Sequence, residues 1–173
     1  AFIVSPITSL IDDQVQNLEA RGIDRVVGLT GKTKDKRAVE RKLATGQYLM
    51  CYASPERFQI QSFIGSVRNY ASENLVSVVA IDEAHCVSEW GHDFRSDYRE
   101  ISAFIERFDQ RPTVVALTAT ATPKVRKDIA RSLGLQNPLE IVSSFDRGNL
   151  SLSVVHRPHD ERESWCVRAA RSR

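Results

Sequence analysis

This sequence has few cysteines, no long apolar run and little net charge, and each of these features excludes a class of protein. The 173 residues include only Cys51, Cys86 and Cys166, which are widely spaced and match no Cys-x-x-Cys or Cys/His ligand pattern. This spacing predicts neither a disulfide framework nor a zinc site, and it favours a reducing, intracellular setting. The apolar run at residues 1–4 is too short for a signal peptide or a membrane span, so no membrane partner is expected.

A phosphate-binding loop is also missing from the sequence. Gly31-Lys32-Thr33 resembles the end of a GxxxxGK[ST] loop, but Val26 stands where the first glycine is required. Because Val26 also fits the interior of a strand, we do not expect this segment to hold a triphosphate.

The composition is that of one ordinary globular domain. Hydrophobic residues make up 42% of the chain and charged residues 27%, and the formal net charge is only +2. A core of normal domain size is therefore expected, whereas the global charge alone does not predict nucleic-acid binding. The run at residues 32–42 carries charges of both signs and predicts a solvated helix face.

Short β-branched runs alternate with apolar stripes of helical spacing, which predicts an α/β fold with parallel strands joined by crossover helices. Several strands are continuously apolar, as expected when helices cover both faces of the sheet. Strands are predicted near residues 2–4, 25–29, 48–52, 76–81, 114–117 and 139–142. Helical stripes occupy residues 7–18, 60–67, 98–108 and 125–133. Gly22 and Gly134 are expected to end the first and the last of these helices.

An acidic pair follows the apolar strand at residues 76–81. An Asp at the carboxyl end of a buried strand is placed to hold Mg²⁺ through water, because open α/β sheets bind ligands at that edge. Asp82 is that residue, and Glu83 is placed to orient or polarise the water that attacks a γ-phosphate. Asp-Glu alone could simply end a strand, but the run Asp-Glu-Ala-His at residues 82–85 favours a catalytic role, with His85 as a hydrogen-bond relay.

Two threonines follow the strand at residues 114–117. Thr118 and Thr120 should lie near Asp82, because the carboxyl ends of parallel strands share one edge of a sheet. They are candidates for coupling the nucleotide state to domain movement, and an ordinary Thr-rich strand end is the alternative. Thr122 is expected to cap the following helix.

The loop after the acidic pair is rich in aromatic and basic side chains. Four of the six residues from 90 to 95 have such side chains: Trp90, His92, Phe94 and Arg95. Aromatic faces stack unpaired bases at about 1 to 3 kcal/mol each, and arginine adds phosphate contacts or stacking. A nucleic-acid strand is therefore the predicted partner, and burial of Trp90 and Phe94 in the core is the alternative.

Two helix starts offer further contacts with a nucleic-acid strand. Ser5 precedes Pro6, and Ser54 begins a run Ser-Pro-Glu-Arg that ends at Arg57. Free backbone N–H groups at helix starts bind phosphates, so Ser5, Ser54 and Arg57 are candidate DNA-binding residues.

Taken together, these motifs resemble those of the RecQ-type DNA helicases of superfamily 2 over nearly the whole chain. The most specific match runs from Asp82 to Arg99 and covers helicase motif II and the aromatic-rich loop. The other matches lie at residues 4–15 (motif Ia), 54–57 (motif Ib), 116–121 (motif III) and 144–150 (the opening of motif IV).

The resemblance implies an ATP-dependent 3′-to-5′ DNA helicase of repair and recombination, in a bacterial cytoplasm or nucleoid or in a nucleus. ATP and Mg²⁺ would be its cofactors, and single-stranded DNA and duplex junctions its partners. Asp82 and Glu83 would serve Mg²⁺ and water. Sensing of single-stranded DNA would fall to Trp90, Phe94 and Arg95. Two alternatives stay open: a non-catalytic remnant that binds single-stranded DNA or a protein partner, and a DEAH-type RNA helicase.

By the same resemblance, residues 1–143 correspond to part of the first RecA-like domain, and residues 144–173 to the start of the second followed by a divergent tail. The phosphate-loop strand would precede Ala1, and the arginine finger would lie further along the chain. That strand is expected between the strands of Ala80 and Ala116. We therefore predict an incomplete RecA-like sheet with a gap, or an aggregation-prone chain, that neither binds ATP tightly nor hydrolyses it.

Overall fold

The structure is a computed structural model that describes residues 1–90 and 93–143. Within these residues, five parallel strands form one sheet: β1 (Phe2–Val4), β2 (Val26–Leu29), β3 (Met50–Ala53), β4 (Val78–Ile81) and β5 (Thr113–Ala116). Their order across the sheet is β2-β3-β1-β4-β5, so β1 lies in the middle. The predicted α/β class and five of the six predicted strands are confirmed.

The described part of the chain also holds five α-helices: α1 (Thr8–Ala20), α2 (Lys36–Ala44), α3 (Gln61–Glu73), α4 (Arg99–Ile105) and α5 (Pro123–Ser132). α1 and α5 end as predicted, because Gly22 and Gly134 take φ angles of 83° and 58°, which residues with a side chain rarely adopt. Thr122 caps α5, since its hydroxyl accepts a hydrogen bond from the Val125 N–H at 3.4 Å. None of these helices combines the length and the apolar character needed to cross a lipid bilayer.

Apolar side chains cover both faces of the sheet. On one face, Ile11 of α1 packs with Val26 and Tyr52. On the other face, Phe2 is surrounded by edge-to-face rings at centroid distances of 6.2 to 6.5 Å: Phe63, Tyr70 and Phe104. These rings belong to α3 and α4, so the central strand β1 is fixed by aromatic packing.

The predicted gap in the sheet is wrong. β4 and β5 pair directly, with Ala80 opposite Val115 and Ile81 opposite Ala116. The backbone groups between these two strands therefore satisfy one another. A phosphate-loop strand would have to join the sheet at another position.

The sixth predicted strand is also wrong. Residues 139–142 take no strand conformation, and Leu139 and Ile141 are 86% and 85% exposed. The sequence pattern of this segment suits a strand, but a pattern of side chains does not supply the neighbouring strand with which a strand must bond. The first compact unit of the chain is Ala1–Pro138. The predictions for residues 144–173 lie outside the described residues.

The charged run at residues 32–42 largely forms exposed surface, with one exception in α2. Glu40 is 4% exposed and makes an ion pair with Arg57, which is 8% exposed. The Arg57 guanidinium also lies over the Phe63 ring, 5.8 Å from its centroid. The pair therefore joins α2 to the 3₁₀ turn at Pro55–Gln59 through a buried charge on each side.

Glu40→Gln tests this buried ion pair. Removing one partner leaves the Arg57 guanidinium buried without a counter-charge, which costs about 3 to 5 kcal/mol. We expect urea unfolding to report a loss of that size in the free energy of unfolding. Glu19→Gln, the same change at an exposed position of α1, is the control and should change it by less than about 0.5 kcal/mol. Equal effects of the two substitutions would contradict the buried pair.

Candidate nucleotide and nucleic-acid site

Asp82 stands at the carboxyl edge of the sheet, one residue beyond β4. Its backbone N–H donates to the Val4 carbonyl at 2.8 Å, which continues the pairing of β1 with β4. Its carboxylate accepts hydrogen bonds from the Ser5 hydroxyl at 3.2 Å and from the Glu83 N–H at 3.0 Å. The residue is only half-buried, so the carboxylate is held in one orientation and still reaches solvent.

Tyr98 fixes the backbone of Asp82. Its hydroxyl donates to the Asp82 carbonyl oxygen at 3.2 Å. Burial raises the pKa of Tyr98, so the hydroxyl stays protonated and available as a donor. This role could not be predicted from the sequence, because a tyrosine in an apolar helical stripe looks like an ordinary core residue.

Glu83 turns the chain away from the sheet. Its φ of 49° and ψ of 44° lie in the left-handed region, where a non-glycine residue costs about 1 to 3 kcal/mol. The Ala84 N–H then donates to the Leu117 carbonyl at 2.8 Å, so the segment after β4 is bonded to the end of β5. Backbone strain of this kind is concentrated in functional sites, where the surrounding structure enforces it.

His85 joins the acidic pair to the threonines that follow β5. Its side chain is buried, and its Nδ1 lies 3.2 Å from Glu83 Oε2 and 3.1 Å from Thr118 Oγ1. One ring nitrogen thus faces both a carboxylate and a hydroxyl, so His85 connects the acidic pair to the end of β5, and its role as a relay stays a prediction. The Thr118 hydroxyl also accepts from the Thr120 N–H at 3.3 Å, whereas Thr120 itself is exposed.

The aromatic loop exposes its two described rings. Trp90 is 62% exposed and Phe94 is 37% exposed, so the alternative in which both are buried in the core does not hold. The Arg95 guanidinium pairs with Asp93 at 3.0 Å at the surface. His92 lies outside the described residues, and its DNA-binding role stays a prediction.

The base of the loop is tied to α5 by residues that sequence reasoning missed. Ser88 is fully buried; its hydroxyl donates to Asp128 Oδ2 at 2.6 Å and accepts from the Trp90 N–H at 3.2 Å. The hydrogen bond from Ser88, followed by contacts with Arg131, lowers the pKa of Asp128. Nothing in a single sequence links residues this far apart, so the pair is visible only in the structure.

The three residues predicted at helix starts are buried. Ser5 and Ser54 are 3% and 4% exposed, and Arg57 is held by Glu40. The Ser5 hydroxyl faces Asp82 instead of solvent. The backbone N–H groups of these three residues are also occupied, because they donate at 3.0 to 3.3 Å to backbone carbonyls: those of Ala53, Leu29 and Ser54.

The segment at residues 31–33 does not lie beside the acidic pair. It follows β2, and β3 and β1 stand between β2 and β4, a separation of roughly 14 Å at the usual strand spacing. The Thr33 hydroxyl donates to the Gly28 carbonyl at 3.1 Å and accepts from the Thr30 N–H at 2.9 Å. The hydroxyl is thus used to close a turn.

The oxygen atoms of Asp82 fit a magnesium ion that is held through water. Mg²⁺ prefers oxygen ligands and keeps several of its own waters. Each carboxylate oxygen has two acceptor positions, and each accepts one hydrogen bond from the described residues. The remaining positions can accept from magnesium-bound water on the solvent side.

A second grouping of donor atoms lies next to the acidic pair. His85, Cys86 and Asp93 each place one ligand-type atom within 4.8 Å of the others. Burial, followed by the nearby Asp93 charge, raises the pKa of Cys86 to about 11, so its thiol is neutral at physiological pH. Asp93 is paired with Arg95, and His85 faces Thr118. These contacts commit the donors to bonds within the protein.

Residues 1–129 match the family model of the DEAD/DEAH box helicases, and the chain belongs to this family. Its curated relatives include RecQ helicases, which confirms the RecQ-type resemblance of the motifs. The ATP-dependent DNA helicase RecQ of Pasteurella multocida is 40% identical over 157 residues, which are 90% of this chain and 24% of that protein. For RecQ of Bacillus subtilis the identity is 38% over 163 residues, or 93% of this chain and 27% of that protein.

A eukaryotic relative gives a similar match. The RecQ-like DNA helicase BLM of Xenopus laevis is 38% identical over 159 residues, which are 89% of this chain and 12% of that protein. The chain thus spans about a quarter of the length of the two bacterial relatives and 12% of the length of the Xenopus protein.

Two solved structures share the fold. The Pyrococcus furiosus Hef helicase domain aligns with a TM-score of 0.52 and 20% identity, over 79% of this chain and 28% of that chain. Mss116p bound to ssRNA and AMP-PNP aligns with a TM-score of 0.55 and 23% identity, over 76% of this chain and 27% of that chain. At such identities the likeness concerns the fold alone, and it confirms the predicted RecA-like class.

Glu83→Gly and Glu83→Ala together test the strained backbone. Both remove the carboxylate, but only glycine enters the left-handed region without a steric penalty. We expect the free energy of unfolding of Glu83→Gly to exceed that of Glu83→Ala by about 1 kcal/mol in urea titrations. An alanine variant as stable as the glycine variant would show that Glu83 does not adopt this conformation.

Asp128→Asn tests the charged link between the loop and α5. Asparagine can still accept from Ser88, but a hydrogen bond to a neutral group is weaker, so we expect a loss of about 1 kcal/mol at neutral pH. Because folding lowers the pKa of Asp128, its contribution is present above the ordinary value of 3.8 and is lost as the pH falls through the folded pKa. In unfolding measured at decreasing pH, the difference between the two proteins should begin to shrink as the pH falls below 3.8 and should vanish only below the lowered pKa of the folded state.

Asp12→Asn, at an exposed position of α1, is the control for this pH series. It should leave the free energy of unfolding within about 0.5 kcal/mol of the wild type at every pH. A pH-independent effect of Asp128→Asn would contradict the charged link.

Proposed function

We propose that the chain is the water-activating and strand-sensing part of an ATP-dependent DNA helicase of the RecQ type. The observation that carries the proposal is the position of half-buried Asp82 and exposed Trp90 on one segment at the carboxyl edge of the sheet. The names of the relatives, which are ATP-dependent DNA helicases, support ATP and DNA as the reactants.

The acidic pair would serve the nucleotide. Asp82 would hold Mg²⁺ through water, and the ion would supply charge neutralisation for the triphosphate. Ser5 and the Glu83 N–H keep the Asp82 carboxylate oriented. Glu83 would orient the attacking water. Because His85 contacts both Glu83 and Thr118, a change in the position of Glu83 would alter the contact with Thr118.

The aromatic loop would serve the DNA. The exposed rings of Trp90 and Phe94 offer faces for unpaired bases, and Arg95 offers a charge for phosphate. The substrates would be single-stranded DNA and duplex junctions, unwound 3′ to 5′ during repair and recombination in a nucleoid or nucleus. Residues 144–173 would begin the second RecA-like domain, and residues 1–143 would form part of the first.

Hydrolysis also needs a phosphate loop, and no segment of the 173 residues has the sequence GxxxxGK[ST]. Such a loop contributes several charge-assisted hydrogen bonds of about 1.5 to 3 kcal/mol each. The 173-residue chain by itself would therefore bind ATP weakly and would not turn it over.

Binding of oligothymidylate and hydrolysis of ATP test this proposal. The 173-residue chain should bind the oligonucleotide, and Trp90→Ala should weaken binding by about 1 to 3 kcal/mol, the contribution of one stacked base. With Mg²⁺, ATP and oligothymidylate, the same chain should show no sustained turnover. The full reading frame that contains Ala1 should hydrolyse ATP, and Glu83→Gln in it should lower the rate at least about 100-fold.

Each other result would contradict a stated part of the proposal. Failure of oligothymidylate to bind, or equal binding by Trp90→Ala, would remove the role of the loop. Stronger binding of oligouridylate would favour an RNA helicase. A full reading frame without ATP hydrolysis would leave a DNA-binding remnant as the function.

A further inference from the structure

A lysine of α5 covers the ring of Trp90. The Lys124 ammonium lies 3.2 Å from the centroid of that ring, well within the range of a cation–π contact. Trp90 is nevertheless the more exposed of the two described rings, at 62%. The ring therefore faces both solvent and a charge from another element.

Phe94 is covered in a similar way. The Arg99 Cζ atom lies 5.0 Å from the Phe94 centroid, and Arg99 also pairs with Glu89. Both described rings of the loop thus have a cation on one face. A face that holds a cation cannot also stack a base, because each requires direct contact with the same π surface.

The loop is fixed at its base, whereas there is open space beside the ring of Trp90. Ser88 anchors the base through the buried Asp128 of α5. A cavity of about 370 Å³ lies between the loop and α5, and its lining includes Glu89, Trp90, Arg99, Asp128 and Arg131. The Trp90 ring therefore has room to reorient while Ser88 holds the backbone.

We propose that Lys124 is a positioning residue that caps Trp90 until a nucleotide base displaces it. The inference rests on the proposed stacking role of Trp90. The released ammonium, at an exposed position in the first turn of α5, would then be free to approach a phosphate of the same strand. Displacement of Lys124 would act on α5, which follows Thr118 closely in the chain. Thr118 is the residue that contacts His85, and His85 in turn contacts the acidic pair.

Acrylamide quenching of Trp90 tests the cap itself. Trp165→Phe first removes the other tryptophan of the chain, so that Trp90 is the only indole that fluoresces. In this background, Lys124→Met should raise the quenching constant, because it exposes a ring face. Lys127→Met is the matched control, since it removes the same charge from an exposed position of the same helix. It should leave the quenching constant unchanged.

Oligothymidylate titration at high salt tests the displacement. High salt screens phosphate contacts, so the two lysine variants lose little from their missing charge. We expect Lys124→Met to bind about two- to fivefold tighter than Lys127→Met, the fold-change equivalent to an exposed cation–π contact of about 0.5 to 1 kcal/mol.

Three results would overturn the inference, and they can be told apart. Equal quenching in both variants would show that Lys124 does not cover the ring. Equal or weaker oligothymidylate binding by Lys124→Met, with Trp90 still responding to the oligonucleotide, would show that the base does not compete with the lysine. Loss of any Trp90 response in the parent chain would instead remove the stacking role on which the inference rests.

Discussion

The parallel pairing of β1 with β4 is the constraint on which the site depends. It places Ser5 beside Asp82 and lets the backbone of Val4 hold the acidic residue at the sheet edge. The aromatic cluster around Phe2 fixes β1, because rings from two helices pack on this first side chain of the strand. On the other side of β4, the direct pairing with β5 brings Thr118 to His85. The order of the strands in the sheet therefore determines both the packing of the core and the position of the polar site.

Beyond the sheet edge, the chain combines a rigid base with an exposed tip. Glu83 is held in a strained conformation, and Ser88 is buried on Asp128, so the backbone between them has little freedom. The two described rings of the loop make surface contacts instead, such as that of the Lys124 ammonium with the ring of Trp90. Surface contacts of this kind contribute about 0.5 to 1 kcal/mol and can be exchanged for a ligand, whereas the buried ones cannot.

Periodicity and strand ends allowed prediction of the fold class and of the acidic pair. Asp82 could be located because an apolar strand ends before it, and Thr118 for the same reason. Strand order could not be predicted, because periodicity does not tell which parallel strands are neighbours, and the expected gap beside β4 was wrong. Residues 139–142 carry the pattern of a strand but take no strand conformation, because the pattern does not supply the neighbouring strand that a sheet requires. Polar contacts made only through tertiary structure also escaped prediction: those of Tyr98, Ser88, Asp128 and Lys124.

The most direct test of the acidic pair is whether it holds a divalent cation at the sheet edge. Paramagnetic Mn²⁺ can replace Mg²⁺ and broadens the amide signals of nearby residues in an NMR spectrum. Titration of Mn²⁺ into the 173-residue chain should broaden the signals of Ser5 and Glu83 first, and Asp82→Asn should abolish this selectivity. Broadening centred elsewhere, or unchanged by Asp82→Asn, would contradict the assignment of Asp82 as the residue that holds the ion.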